Sequence, residues 1–175
     1  MALVIRELQQ NDGCNALSLG DAAYLPLKNF LRREAKKLHL ENLARTFVMV
    51  EEDDAKVRGY ITTVCSNVSV EQFSGKDVPL VEGFRYKDYP AIKLARLAVD
   101  GSLRGVGAGS RLVDLAIGLI LQHVMPHFGC RFLIVDAKAS SVGFYLKKGF
   151  TPIGVSADDD QQTAMFIDLQ RLPRD

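Results

Sequence analysis

The chain has 175 residues, 47% of them hydrophobic and 25% charged, with a formal net charge of +1. That length suits one compact domain with a substantial core, and a charge so near zero excludes a global drive toward nucleic acid or a membrane surface. No apolar run approaches the roughly 18–20 residues that span a bilayer, and the opening MALVIRELQQ lacks the apolar core of a signal peptide. Cys14, Cys65 and Cys130 are odd in number, far apart and without metal-ligand spacing. The expectation is a cytoplasmic protein with reduced thiols, no membrane attachment and no metal.

In chain order, LVIREL (Leu3–Leu8) alternates apolar and polar residues and predicts a strand. LPLKNFLRREAKKLHL places Leu27, Leu31, Ala35 and Leu38 at helical spacing, with Lys28, Arg32, Arg33, Lys36 and Lys37 on the other side. RTFVMVEE and KVRGYITTVCSNVSV are rich in β-branched and aromatic residues and predict a hairpin around Asp53 and Asp54. Glu71 to Pro90 has no sustained period and contains Gly75, Pro79 and Gly83, so it predicts a long loop of the kind that carries function. AIKLARLAV (Ala91–Val99) predicts a central strand. A helix with a wide apolar stripe follows, from Leu112 to Val124, ending at Pro126. RFLIVDA is a further buried-type strand, SSVGFYLKK a short helix stopped by Gly149, and FTPIGV with TAMFIDL a last strand pair across an acidic turn at Asp158–Asp160. The order is β, α, ββ, long loop, then β-α-β-α-ββ, a single mixed α/β domain over residues 1–175.

Between the central strand and its helix lies AVDGSLRGVGAGS (Ala98–Ser110), with four glycines in the nine residues from Gly101 to Gly109. A linker is disfavoured because the apolar elements on both sides need each other for burial. A plain structural turn needs fewer glycines. A strand running through a glycine-rich loop into a helix N-terminus instead gathers backbone N–H groups and the positive end of the helix dipole, an anion cradle. Arg104 can add charge to it. The spacing fits neither the P-loop, which needs a Gly-Lys-Ser/Thr end, nor the dinucleotide fingerprint, which needs Gly-x-Gly-x-x-Gly and a later acid.

Arg104-x-x-Gly107-x-Gly109 resembles the pyrophosphate-binding signature of the GNAT superfamily of acetyl-CoA-dependent N-acetyltransferases, Gln/Arg-x-x-Gly-x-Gly/Ala. Val99-Asp100 before it, and Phe144-Tyr145 followed by Gly149-Phe150, resemble further hallmarks in the same order. LKNFLRREAKKLHLENLARTFVMVE, LARLAVD, GFYLKKGF and TAMFIDLQRLP look most like the branch that contains tRNA-acetylating toxins. Departures from that branch are the length of Glu71–Pro90, Ala108 where leucine is common, and Ser140-Ser141 before the last helix.

The resemblance implies an α-β-α sandwich with a mixed, mostly antiparallel sheet flanked by helices. It also implies acetyl-CoA as cosubstrate. Backbone groups of Leu97, Ala98 and Val99 would pair with the pantetheine arm, and Arg104, Gly105, Val106, Gly107, Ala108, Gly109 and Ser110 would hold the pyrophosphate. Tyr145 would be the general acid for the coenzyme A thiolate, a role a phenol suits because it stays protonated at pH 7.

The expected activity is acetyl transfer to a primary amine. Two alternatives stand beside it: a toxin acetylating aminoacyl-tRNA, with an antitoxin partner, and a non-catalytic acyl-CoA-binding module. A homodimer is expected from the resemblance alone. No general base emerges, since Glu51, Glu82 and Asp88 read as solvated charges. His123 and His127 straddle Pro126 without the H-E-x-x-H pattern, which favours a helix C-terminal role over a metal pair. The basic side of the first helix reads as a solvated face or as a phosphate footprint.

Overall fold

The structure is a computed structural model that describes residues 2–73, 81–154 and 162–174. Among the described residues the strands are Leu3–Glu7 (β1), Arg45–Glu51 (β2), Asp54–Ser69 (β3), Asp88–Val99 (β4), Phe132–Lys138 (β5), Thr151–Pro152 (β6) and Gln162–Asp168 (β7). They order as β1-β2-β3-β4-β5-β7-β6. β4 and β5 run parallel, while β1–β2, β2–β3, β5–β7 and β6–β7 are antiparallel. The sheet is therefore mixed and mostly antiparallel, as expected.

Helices are Leu25–Phe30 (α1), Lys36–Leu40 (α2), Ala108–Leu119 (α3) and Val142–Lys147 (α4). The predicted first helix does run from Leu25 to Leu40, but a π-helical turn over Leu31–Ala35 joins α1 to α2. A widened turn rotates the face that follows it, and this one buries Leu31 and Ala35 completely. A second π-helical turn, Ile120–Val124, ends the helix begun by α3.

The long loop is shorter than the sequence suggests. Val70–Gln72 forms a 3-10 turn and β4 already begins at Asp88. Gly75 and Pro79, and the acidic turn Asp158–Asp160, lie outside the described residues. β6 takes up only two residues of FTPIGV, because Gly154, at φ 53°, turns the chain in the left-handed region.

Two compact units make up the chain, Met1–Val64 with Ala95–Ala116, and Cys65–Leu94 with Ile117–Asp175. In the first, Leu8, Leu17, Leu31, Val48, Val57 and Tyr60 form the core together with Ala98 from β4. Tyr60 is buried but satisfied, its hydroxyl donating to the Leu27 carbonyl at 2.7 Å. Asp12, also buried, accepts from the two terminal Arg6 nitrogens at 2.6 and 2.9 Å. The second unit is built on rings: Phe73 lies 5.1 Å from both Phe132 and Phe166, and Tyr89 lies 5.3 Å from Phe132.

Candidate active site

The site grows from the end of β4. Its parallel ladder with β5 covers Ala91–Leu94, and β4 runs on through Ala95 to Val99. There Ala98 is buried and Leu97 and Val99 are half-buried. Gly59 of β3 makes this course possible: a Cβ at that position would meet the Ala98 carbonyl oxygen at 3.3 Å and the Val99 Cα at 3.6 Å.

Asp100 then turns the chain into the glycine loop. Its backbone N–H donates to the Arg58 carbonyl at 2.8 Å. Its carboxylate accepts from the Ser102 N–H at 3.1 Å, the Ser102 hydroxyl at 2.7 Å and the Ser18 N–H at 3.0 Å. Ser18 closes the link in the other direction, its carbonyl accepting the Gly101 N–H at 2.8 Å. Burial works to raise the Asp100 pKa, but the hydrogen bonds from Ser18 and Ser102, with the Arg58 guanidinium nearby, bring it below the usual carboxylate value. Arg58 braces the arrangement, donating to the Ser102 hydroxyl at 2.8 Å with its Nε 3.8 Å from Glu51. Glu51 therefore faces an arginine, and Glu82 and Asp88 are exposed.

From Arg104 to Gly107 the loop is exposed. Gly105 and Gly107 sit at φ 76° and 83°, where side chains are strained, and a Cβ on either would meet no atom within 4 Å. α3 begins at Ala108, and its first backbone bond runs from the Arg111 N–H to the Gly107 carbonyl at 3.0 Å. The N–H groups of Gly107, Ala108 and Gly109 precede that bond and belong to the orphan donors of a helix start. Two open left-handed glycines before a helix N-terminus make a surface that can accept a polyanion.

The Arg104 side chain has a different post from the one its charge suggests. It donates to the Leu19 carbonyl at 2.6 Å and lies 4.7 Å over the Tyr24 ring. It thus ties the segment before α1 to the loop, while its backbone N–H lies 3.4 Å from the Gly101 carbonyl.

Tyr145, in the second unit, is held by a locally encoded device. Gly149, at φ 88°, ends α4 so that its N–H reaches the Leu146 carbonyl at 3.0 Å and the Phe150 N–H reaches the Tyr145 carbonyl at 3.0 Å. This is a Schellman end. It sets the Tyr145 ring edge-on to Phe150 at 5.2 Å, with the Phe144 ring 5.0 Å away. Burial pushes the phenol pKa upward, so the group is a neutral O–H donor over the whole physiological range.

The basic side of α1 and α2 is smaller than the sequence suggests. The Lys36 ammonium donates to the Gln10 and Asp12 carbonyls at 2.7 and 2.9 Å, leaving Arg32, Arg33 and Lys37 exposed and Lys28 half-buried. His127 Nδ1 lies 3.3 Å from the His123 carbonyl, the helix-end arrangement expected of that pair. Among the described residues, Cys14, Cys65 and Cys130 are free thiols, and no helix is long and apolar enough to cross a membrane. Sequence reasoning missed Gly59, Ser18 and Arg58. Only the Asp100 position carried a signal, as the end of a Val-Asp pair.

Comparison with known proteins supplies the family. The profile of the acetyltransferase (GNAT) family matches residues 16–150. The chain belongs to that family. As a GNAT protein it is an acyltransferase. A tRNA-acetylating toxin of Mycobacterium tuberculosis is 30% identical over 132 residues, which cover 75% of this GNAT chain and 74% of the toxin. In fold it is similar to AtaT complexed with acetyl-methionyl-tRNAfMet, with a TM-score of 0.81, 24% identity, and 97% and 96% of the two chains covered. It is similar also to AtaTR bound with acetyl-CoA, with a TM-score of 0.72, 24% identity, and 96% and 94% covered.

Proposed function

We propose that this GNAT enzyme transfers the acetyl group of acetyl-CoA to the amino group of an aminoacyl-tRNA, as the toxin of a toxin–antitoxin pair. The observation that carries the reading is the 30% identity to a tRNA-acetylating toxin over three quarters of both chains. The likeness of fold to AtaT complexed with acetyl-methionyl-tRNAfMet supports it. Under this reading residues 1–175 form one acetyltransferase domain working in the cytoplasm, with an antitoxin as partner and a homodimer as the expected assembly.

The cradle suits acetyl-CoA. The Arg104–Ser110 backbone, open above Gly105 and Gly107, receives the pyrophosphate. The pantetheine arm pairs with the backbone of Leu97, Ala98 and Val99. A backbone N–H of that stretch donates to the thioester oxygen as negative charge develops on it, a type of contact worth roughly 3–4 kcal/mol to the transition state in other enzymes.

The neutral amine attacks the thioester carbonyl carbon, the new C–N bond forms, and the C–S bond breaks. The leaving thiolate takes a proton from the Tyr145 hydroxyl. The proton lost by the amine leaves through water, which restores Tyr145, so protons balance over the cycle. The raised phenol pKa keeps Tyr145 in the form that donates.

Induction of the chain in growing bacteria tests the reading. Growth should stop and the aminoacyl groups of tRNA should carry one added acetyl by mass spectrometry. A healthy culture with unmodified tRNA would contradict it.

A further inference from the structure

Outside the cradle and Tyr145, the segment Val81–Tyr89 carries a built aromatic feature with no part in the acetyl-transfer chemistry. Tyr86 is 77% exposed. A single exposed ring is ordinary on a protein surface, but this one stands on a column. Its ring lies 5.5 Å from Phe84, Phe84 stacks on Tyr89 at 4.5 Å and 13°, and Tyr89 meets the fully buried Phe132 at 5.3 Å.

The backbone under the column is fixed as well. Gly83, at φ 78°, forms a turn in which the Phe84 N–H donates to the Val81 carbonyl at 3.1 Å. The Val81 N–H donates to the Tyr89 hydroxyl at 3.4 Å, and the Val70 N–H to the Lys87 carbonyl at 2.8 Å. Exposed Arg85 and Lys87 flank the ring on either side in sequence, with exposed Glu82 and Asp88 further out. The segment is therefore no broad basic field. It offers one exposed aromatic ring, backed by Phe84, with a cation on either side in sequence, the residue types that stack an unpaired base and contact its neighbouring phosphates.

We propose that Tyr86, carried on the Phe84–Tyr89–Phe132 column and flanked by Arg85 and Lys87, is a stacking platform for an unpaired base of the RNA acceptor. The inference rests on the reading of aminoacyl-tRNA as acceptor and adds where that RNA is gripped. Stacking tolerates any base because every base has a π-face.

The test is anisotropy binding of fluorescent total tRNA and of a 12-nucleotide oligouridine to the full-length protein, over a range of salt concentrations. Tyr86→Ala should weaken both by about tenfold, while Tyr86→Phe, which keeps the ring, should bind like wild type. Arg85→Gln with Lys87→Gln should flatten the salt dependence by about 0.7 log units per log unit for each phosphate that the variant no longer neutralises. In transfer assays Tyr86→Ala should raise the KM for charged tRNA and leave the KM for acetyl-CoA, and transfer to a small amine, unchanged. Equal tRNA binding by wild type and Tyr86→Ala would overturn the platform and leave the acceptor reading standing. Wild-type protein that neither binds nor acetylates charged tRNA would overturn both. Loss of antitoxin binding or of self-association in Tyr86→Ala, with RNA binding intact, would reassign the ring to a protein interface and overturn the proposal.

Discussion

The loop Asp100–Ser110 and the helix end Val142–Phe150 reach defined geometry by opposite means. The loop is largely exposed and is pinned by polar contacts from distant parts of the chain: Ser18 and Leu19 before α1, and Arg58 on β3. The helix end is pinned by its own neighbours, through the Gly149 turn and the rings of Phe144 and Phe150. One region is organised from afar around an exposed loop, the other locally to bury a phenol. Changes in the loop should therefore act on binding of acetyl-CoA, and changes at the helix end on the chemical step.

The largest expected effect tests that division at Tyr145. Tyr145→Phe should lower kcat by about 100-fold, the low end for losing a proton donor, and leave the KM for acetyl-CoA nearly unchanged. Steady-state kinetics with charged tRNA measure both. A variant with raised KM and full kcat would place Tyr145 in binding and collapse the distinction.

Asp100→Asn should do the reverse. Replacing one acceptor oxygen by an N–H group opposes the donors of Ser18 and Ser102, and losing a charged hydrogen bond of this kind costs about 1.5–3 kcal/mol. The KM for acetyl-CoA should rise about tenfold while kcat stays near wild type, and calorimetric titration should show the same drop in affinity.

The pH dependence separates the regions again. The Asp100 carboxylate is held below its ordinary range when folded, so its contribution is complete above about pH 4 and falls away as the pH drops through the folded value. The Tyr145 phenol is pushed upward, so activity should show no alkaline loss from this group at or below about pH 10. An alkaline decline near pH 8 that disappears in Tyr145→Phe would contradict the buried donor.

The smallest effects compare two glycines with equally open surroundings. Gly107, at φ 83°, should lose about 1–2 kcal/mol on substitution by alanine, seen as weaker acetyl-CoA binding. Gly143 lies within α4, and alanine there should stabilise the fold by about 0.5–1 kcal/mol in urea melts. Equal responses would mean that backbone conformation is not what distinguishes the loop.

The same contrast explains what could be read from the chain. The Tyr145 end was legible because Phe144, Tyr145, Gly149 and Phe150 lie within seven residues and carry their geometry in local turn chemistry. The strand–loop–helix order around Gly105, Gly107 and Gly109 was legible too, and it holds. What fixes the loop was not legible: the Ser18–Asp100 bond spans 82 positions, and no periodicity marks it. Arg104 shows the cost of that blindness, since its charge suggested the ligand and its guanidinium is engaged by Leu19 and Tyr24. Lys36 behaves alike, turned from the basic face onto two carbonyls. The π-helical turns at Leu31–Ala35 and Ile120–Val124 passed as ordinary helix because one widened turn barely disturbs an apolar stripe.

The central claim is most directly tested by incubating the purified protein with acetyl-CoA labelled in the acetyl group and with aminoacyl-tRNA. Label should appear on the amino group of the tRNA-bound amino acid, and Tyr145→Phe should abolish most of it while still binding acetyl-CoA. Label on a small amine but never on charged tRNA would contradict the acceptor, and no binding of acetyl-CoA to the wild-type protein would contradict the cradle itself.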